Sequence, residues 1–207
     1  MDRTLYLDVN HFARQTPWAH AFMAPFALYG GVVVLALLLL GGWWRARSRS
    51  DVPNAVARSV WAGLGTAAAV GIAQPINHLV ARPRPYVTLH HVEVLVPRAH
   101  DFTFPSDHAT VAGASIVGLW LLRDRLMTIL AVVDGLFLSF ARVYVGAHYP
   151  GDVLGGLVVG AATIFLLWPV AGLILRPIVA AVARSPLRFL ATASPSSRDR
   201  IAGASSP

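Results

Sequence analysis

Apolar residues in this chain neither alternate nor recur on one helical face; they run on unbroken. Residues 22–44 hold no charged side chain, and residues 59–80 and 153–175 are equally free of ionised groups. A helix needs about 20 mainly apolar residues to cross the roughly 30 Å hydrocarbon layer, so each of these runs is long enough. Two shorter runs, 109–122 and 126–141, lie between them. The pattern predicts an all-α, multi-pass transmembrane bundle of five spans, with six as the alternative count. Residues 1–184 are read as the membrane-embedded domain. Residues 185–207, rich in Ser, Ala, Pro and Arg, are read as a disordered inner tail.

Composition agrees with the pattern: 56% of residues are hydrophobic and 13% charged, against about 25% charged in soluble domains. A net charge of +7 raises nucleic acid as a partner, but that reading needs a basic face on a folded domain. Here the arginines gather at span ends, so membrane lipids are the expected partners and nucleic acid is not. The absence of cysteine excludes disulfides and thiolate metal sites. Residues 1–20 lack the basic stretch and short apolar core of a cleaved signal peptide, so the N-terminus is expected to be retained.

Arginine alone carries the orientation signal, since the chain has no lysine. With the N-terminus outside, the inner segments hold Arg45, Arg47, Arg49, Arg58, Arg123, Arg125, Arg176, Arg184, Arg188, Arg198 and Arg200. Only Arg3, Arg14, Arg82, Arg84, Arg98 and Arg142 lie outside. Cytoplasmic loops are enriched in Lys and Arg, which favours this orientation in a cell membrane. It brings the polar segments 77–85, 105–108 and 142–152 to one outer surface, and polar groups clustered at one membrane depth predict a shared site.

Other features read more plainly. The 86–104 connection contains His90, His91 and His100, but no histidine–carboxylate pair at ligand spacing, and is taken as a solvated loop without metal. Gly151, Gly155, Gly156 and Gly160 have the spacing that lets a neighbouring helix of the same chain approach closely. Asp134, in mid-span, is taken as a buried structural or protonated group.

Three segments carry the chemistry. In Arg82-Pro83-Arg84-Pro85, two prolines end a helix and hold two guanidinium groups at the surface; these suit phosphate oxygens, or anchor to headgroups. Phe104-Pro105-Ser106-Asp107-His108 precedes an apolar helix, where Ser106 or Asp107 can cap free amides that also favour an anion. His108, beyond the cap, has a side chain suited to proton donation. In Arg142 to Asp152, Pro150 opens the last span, placing His148 before the helix and Asp152 in its first turn. Asp152 is expected to accept a hydrogen bond from the His148 imidazole and fix its tautomer.

Together these segments resemble the type 2 phosphatidic acid phosphatase superfamily. Its pattern is a lysine, six residues and Arg-Pro; Pro-Ser-Gly-His; and Ser-Arg, five residues, His, three residues, Asp. Arg84-Pro85, then Pro105, Ser106 and His108, then Arg142, His148 and Asp152 match it at the right spacing. Three positions depart: Asn77 stands for the lysine, Asp107 for the glycine and Ala141 for the serine. The Phe-Pro-Ser-Asp-His form looks like bacitracin-resistance-type undecaprenyl-diphosphate phosphatases.

The resemblance implies a phosphatase acting on a lipid phosphate or diphosphate, without cofactor or metal. His148 would be the nucleophile, His108 the acid and Asp152 the orienting base. Arg84, Arg142 and Ser106 would hold the phosphate, with Arg82, Asn77 and Asp107 as further candidates and Arg82 replacing the lost lysine. Alternative substrates are phosphatidic acid, phosphatidylglycerol phosphate and a polyprenyl monophosphate; a non-catalytic lipid transporter or scaffold is the alternative of another class.

Overall fold

The computed structural model describes residues 1–193, and among them every regular element is helical. Helix α1 (Asp2–Gln15) precedes four helices long and apolar enough to cross a membrane. Of these, α2 is Pro17–Ala46 and α3 is Val52–Val80, followed by a single turn at Pro85–Thr88. Helix α4 (Asp107–Leu121) separates them from α5 (Arg125–Tyr144) and α6 (Pro150–Ala183).

The expected five runs therefore all become helices, but α4 differs in kind from the rest. Its 15 residues extend only about 22 Å at roughly 1.5 Å per residue. One long face of it is buried, through Ala109, Ala112, Gly113, Ala114 and Gly118, as the central helix packed on α3, α5 and α6. Small residues set its close contact with α6. A Cβ on Gly113 would run into the Leu157 carbonyl, one on Gly160 into the Thr110 carbonyl, and one on Gly156 would lie 2.5 Å from the Ser106 carbonyl. The glycine spacing seen in sequence thus seats a helix of the same chain, as expected.

Helix α1 is amphipathic. Tyr6, Asn10 and Ala13 are buried, while Leu5, Leu7 and Phe12 are exposed. It lies at the same end as His148: Tyr6 and Tyr149 rings are 5.3 Å apart, and Asn10 bonds both the carbonyl and the amide of Glu93 at 2.8 and 3.0 Å. That clamp and the Leu95 amide on the Val145 carbonyl (3.1 Å) order the 86–104 connection. Gly146, at φ +80°, accepts the close approach of Glu93, whose carbonyl would meet any Cβ there.

At the other end, regular structure continues past the boundary expected at residue 184. Pro186–Leu190 forms a single 3-10 turn packed back on α2, with Arg47 donating to the Phe189 carbonyl at 2.8 Å and Ala191 buried. The remainder of the expected tail, 194–207, lies outside the described residues. Asp134 is partly buried on α5 with one carboxylate oxygen unpartnered, remote from the residues described next.

Candidate active site

The end of α3, the start of α4 and the 145–149 turn converge on His148. Its ring Nε2 lies 3.4 Å from Arg84 Nη1 and 3.4 Å from Arg142 Nη2. Two guanidinium groups from opposite ends of the sequence pattern thus share one imidazole nitrogen. All three side chains are nearly sealed from solvent, at 7% exposure for Arg84, 6% for Arg142 and 3% for His148. Burial of such cations costs several kcal/mol unless acceptors surround them.

Those acceptors are few. Arg84 donates to the Ala147 carbonyl at 3.1 Å and pairs with Asp101 at 2.8 Å. Arg142 donates to the Ala27 carbonyl at 3.0 Å and forms no ion pair among the described residues. Arg142 Nε and Ser106 Oγ are buried without a partner. Donors that outnumber their acceptors around one nitrogen suit a tetrahedral oxyanion.

Helix α2 contributes through its backbone. Pro25 and a π-helical segment, Phe26–Gly30, interrupt the regular ladder where Ala27 and Leu28 offer carbonyls, the first to Arg142 and the second to His108 Nε2 at 3.2 Å. Such π segments are frequent at functional sites. His108 and Asp107 also line a cavity of about 300 Å³ with Leu28, Tyr29, Val32, Val33, Val70 and Val111. This cavity opens between α2 and α3.

The group that orients His148 is not the one expected. His148 Nδ1 lies 2.9 Å from the Thr103 carbonyl and 3.1 Å from its hydroxyl, and that hydroxyl donates to Asp152 Oδ2 at 2.7 Å. Asp152, fully buried, therefore acts one side chain away while its Oδ2 also accepts the Tyr149 amide at 2.8 Å. A carbonyl acceptor requires Nδ1 to carry the proton, which leaves the Nε2 lone pair facing the guanidinium groups. The tautomer is the expected one; the residue imposing it is different.

Three further candidates have partners of their own. Arg82 is turned away from Nε2: it pairs with Asp152 at 2.7 Å and with Asp2 at 2.5 Å, and its guanidinium lies 4.1 Å over the Tyr149 ring. Its charge answers two carboxylates. Asn77 donates to the Phe102 and Phe104 carbonyls at 3.1 and 3.0 Å, tying α3 to the segment before α4. Asp107 accepts from Gln74 at 3.2 Å, as its negative charge favours. The connection read as a plain solvated loop supplies both Asp101 and Thr103. Thr103 stood two residues before the Pro-Ser-Asp-His segment, but nothing in that spacing distinguishes it from Phe102.

Electrostatics set the state of the imidazole. Burial, followed by the charges of Arg142 and Arg84, pushes the His148 pKa well below its ordinary 6.5, against the opposing pull of the Thr103 carbonyl. The ring is therefore neutral at neutral pH, with the Nε2 lone pair unprotonated.

The profile of the PAP2 superfamily matches residues 58–175, and the chain belongs to that superfamily. The undecaprenyl-diphosphatase BcrC of Bacillus subtilis (strain 168) is 39% identical over 155 residues, 74% of this chain and 75% of the relative. An undecaprenyl-diphosphatase of Sulfolobus acidocaldarius is 32% identical over 98 residues, 47% of this chain and 48% of that protein. The fold is shared with the crystal structure of a transmembrane PAP2-type phosphatidylglycerolphosphate phosphatase from Bacillus subtilis: TM-score 0.54, 20% identity, covering 84% of this chain and 85% of that one.

Proposed function

We propose that this protein is a membrane-embedded phosphatase that removes the terminal phosphate of undecaprenyl diphosphate, or a closely related polyprenyl diphosphate, at the outer face of the cell membrane. The observation that carries the reading is the pair of buried guanidinium groups, each 3.4 Å from the same His148 nitrogen. The choice of substrate rests on the relatives named undecaprenyl-diphosphatases, and the choice of face on the arginine distribution.

In this scheme Arg84 and Arg142, with Ser106, hold the terminal phosphoryl group and stabilise its spreading charge. His148 Nε2 attacks phosphorus in line, forming an N–P bond as the P–O anhydride bond breaks. Burial, followed by the charge of Arg142, lowers the His108 pKa to about 4, so His108 becomes an imidazolium only once the negative charge of the bound diphosphate stands beside it. It then gives that proton to the departing lipid monophosphate, whose oxygen takes the place of the Leu28 carbonyl. Neutral His108 then accepts a proton from water, which cleaves the N–P bond and releases inorganic phosphate. The Thr103 and Asp152 pair keeps the His148 ring oriented through both steps. The apolar cavity beside His108 lets the first isoprene units reach the bundle from the bilayer.

Purified protein assayed in parallel against C55 diphosphate, phosphatidic acid and phosphatidylglycerol phosphate tests the assignment. The diphosphate is expected to have the highest kcat/KM, with activity retained in EDTA. A clear preference for either glycerolipid refutes the substrate assignment; no phosphate release from any of them refutes the enzymatic one.

A further inference from the structure

The end of the bundle remote from His148 carries cations that this scheme does not use. Arg58 of α3 and Arg123, just beyond α4, line a cavity of about 300 Å³ together with Trp120, Leu121 and Trp168. Arg176 joins them from α6: its guanidinium carbon lies 5.4 Å from the Trp168 ring centroid, and that of Arg58 lies 6.0 Å from the same centroid. A second cavity of about 540 Å³ also borders Trp120 and Arg123 and adds Asp124 and Arg125.

Of the nearby carboxylates, Asp124 pairs with Arg45 at 2.6 Å and Arg49 at 3.5 Å, while Asp51, whose oxygens accept from Asn54 at 2.9 Å, offsets part of the charge around Arg58 without pairing with it. None of Arg58, Arg123, Arg125 and Arg176 forms an ion pair among the described residues.

Two features separate this cluster from arginines that merely mark the inner side. Arg123 sits at φ +58°, the left-handed position after a helix where glycine is usual and a side chain is strained. The chain nonetheless keeps a guanidinium there. Gly172 lies against the neighbouring pair, where an added Cβ would stand 3.3 Å from the Trp168 ring and 3.5 Å from Arg176 Nε.

Tryptophans 43, 44, 120 and 168 all belong to this end, and tryptophan concentrates at headgroup depth. The abundant anion at that depth is a lipid phosphate, and planar guanidinium groups match its oxygens in pairs. We propose that this cavity is a binding site for the phosphate of an anionic phospholipid, held by Arg58, Arg123 and Arg176 over the Trp168 and Trp120 rings.

Native mass spectrometry of the full chain, delipidated in detergent and titrated with phosphatidylglycerol or phosphatidylcholine, reads this site without reference to catalysis. The wild type is expected to bind phosphatidylglycerol about tenfold more tightly than phosphatidylcholine, as a few interfacial arginines provide. Combining Arg58→Gln with Arg123→Gln is expected to abolish the preference, whereas Arg184→Gln, at the same end but outside the cavity, preserves it. Arg123→Gly guards against misfolding: it relieves the backbone, so it is expected to unfold no earlier than wild type and still to bind phosphatidylglycerol more weakly. Equal affinity for the two lipids, an equal loss in Arg184→Gln, or full retention in the cavity variants overturns the proposal. Displacement of the lipid by millimolar inorganic phosphate also overturns it, by assigning the site to the free anion.

Discussion

At the scale of single residues, the account turns on how His148 is held and charged. The Thr103 side chain contacts the ring and Asp152 but neither Arg84 nor Arg142. Thr103→Val is therefore expected to lower kcat about tenfold to hundredfold with little change in KM, a hydrogen bond to a charged group being worth roughly 1.5–3 kcal/mol. Thr103→Ser should restore the rate, and steady-state kinetics in detergent decide it. The depressed His148 pKa makes a second prediction. Because kcat/KM reports the free enzyme, its acid limb should fall below pH 6.5 and move up toward that value in Arg142→Gln, which removes one of the charges responsible. Stability follows the same group. Below pH 6.5 the unfolded chain protonates this histidine while the folded chain does not, so its contribution to stability is full above 6.5 and declines as pH falls. Denaturant unfolding at several pH values measures that decline.

At the scale of elements, α4 and α6 bring the motif segments together through small residues. Gly160→Leu would force the Thr110 backbone away and is expected to cost at least about 1–3 kcal/mol, seen as a lower unfolding midpoint with activity lost alongside it. The long spans and the His148, Arg84, Arg142 convergence were legible in the sequence, because uninterrupted apolar runs and motif spacing specify them. The partner at Nδ1 was not. Asp152 and Thr103 both lie within reach of the ring, and only the path of the 86–104 connection decides which of them touches it. The partners of Arg82 were hidden for a related reason: its charge suits phosphate and carboxylate equally, and Asp2 arrives from α1, a helix outside the long apolar runs. The π segment beside Pro25 left no comparable trace, since an apolar run conceals a change of helical register. The turn at Pro186–Leu190 was hidden by a composition that resembles a linker.

At the scale of the whole molecule, the candidate site lies at one end of the bundle and the larger share of the arginines at the other. The chain has no cysteine, so single cysteines report the sidedness cleanly. His100→Cys, exposed at the His148 end, is expected to react with an impermeant maleimide in intact cells, and Ser50→Cys, exposed at the other end, only after permeabilisation; the reverse pattern would invert the topology. The claim on which the rest depends is nucleophilic attack by His148, and rapid quenching of the enzyme with substrate radiolabelled at its terminal phosphate tests it most directly. Acid-labile, alkali-stable label is expected on His148 in the wild type, with no label and no phosphate release in His148→Ala. Phosphate release at the wild-type rate from His148→Ala, or trapped label on another residue, would contradict it.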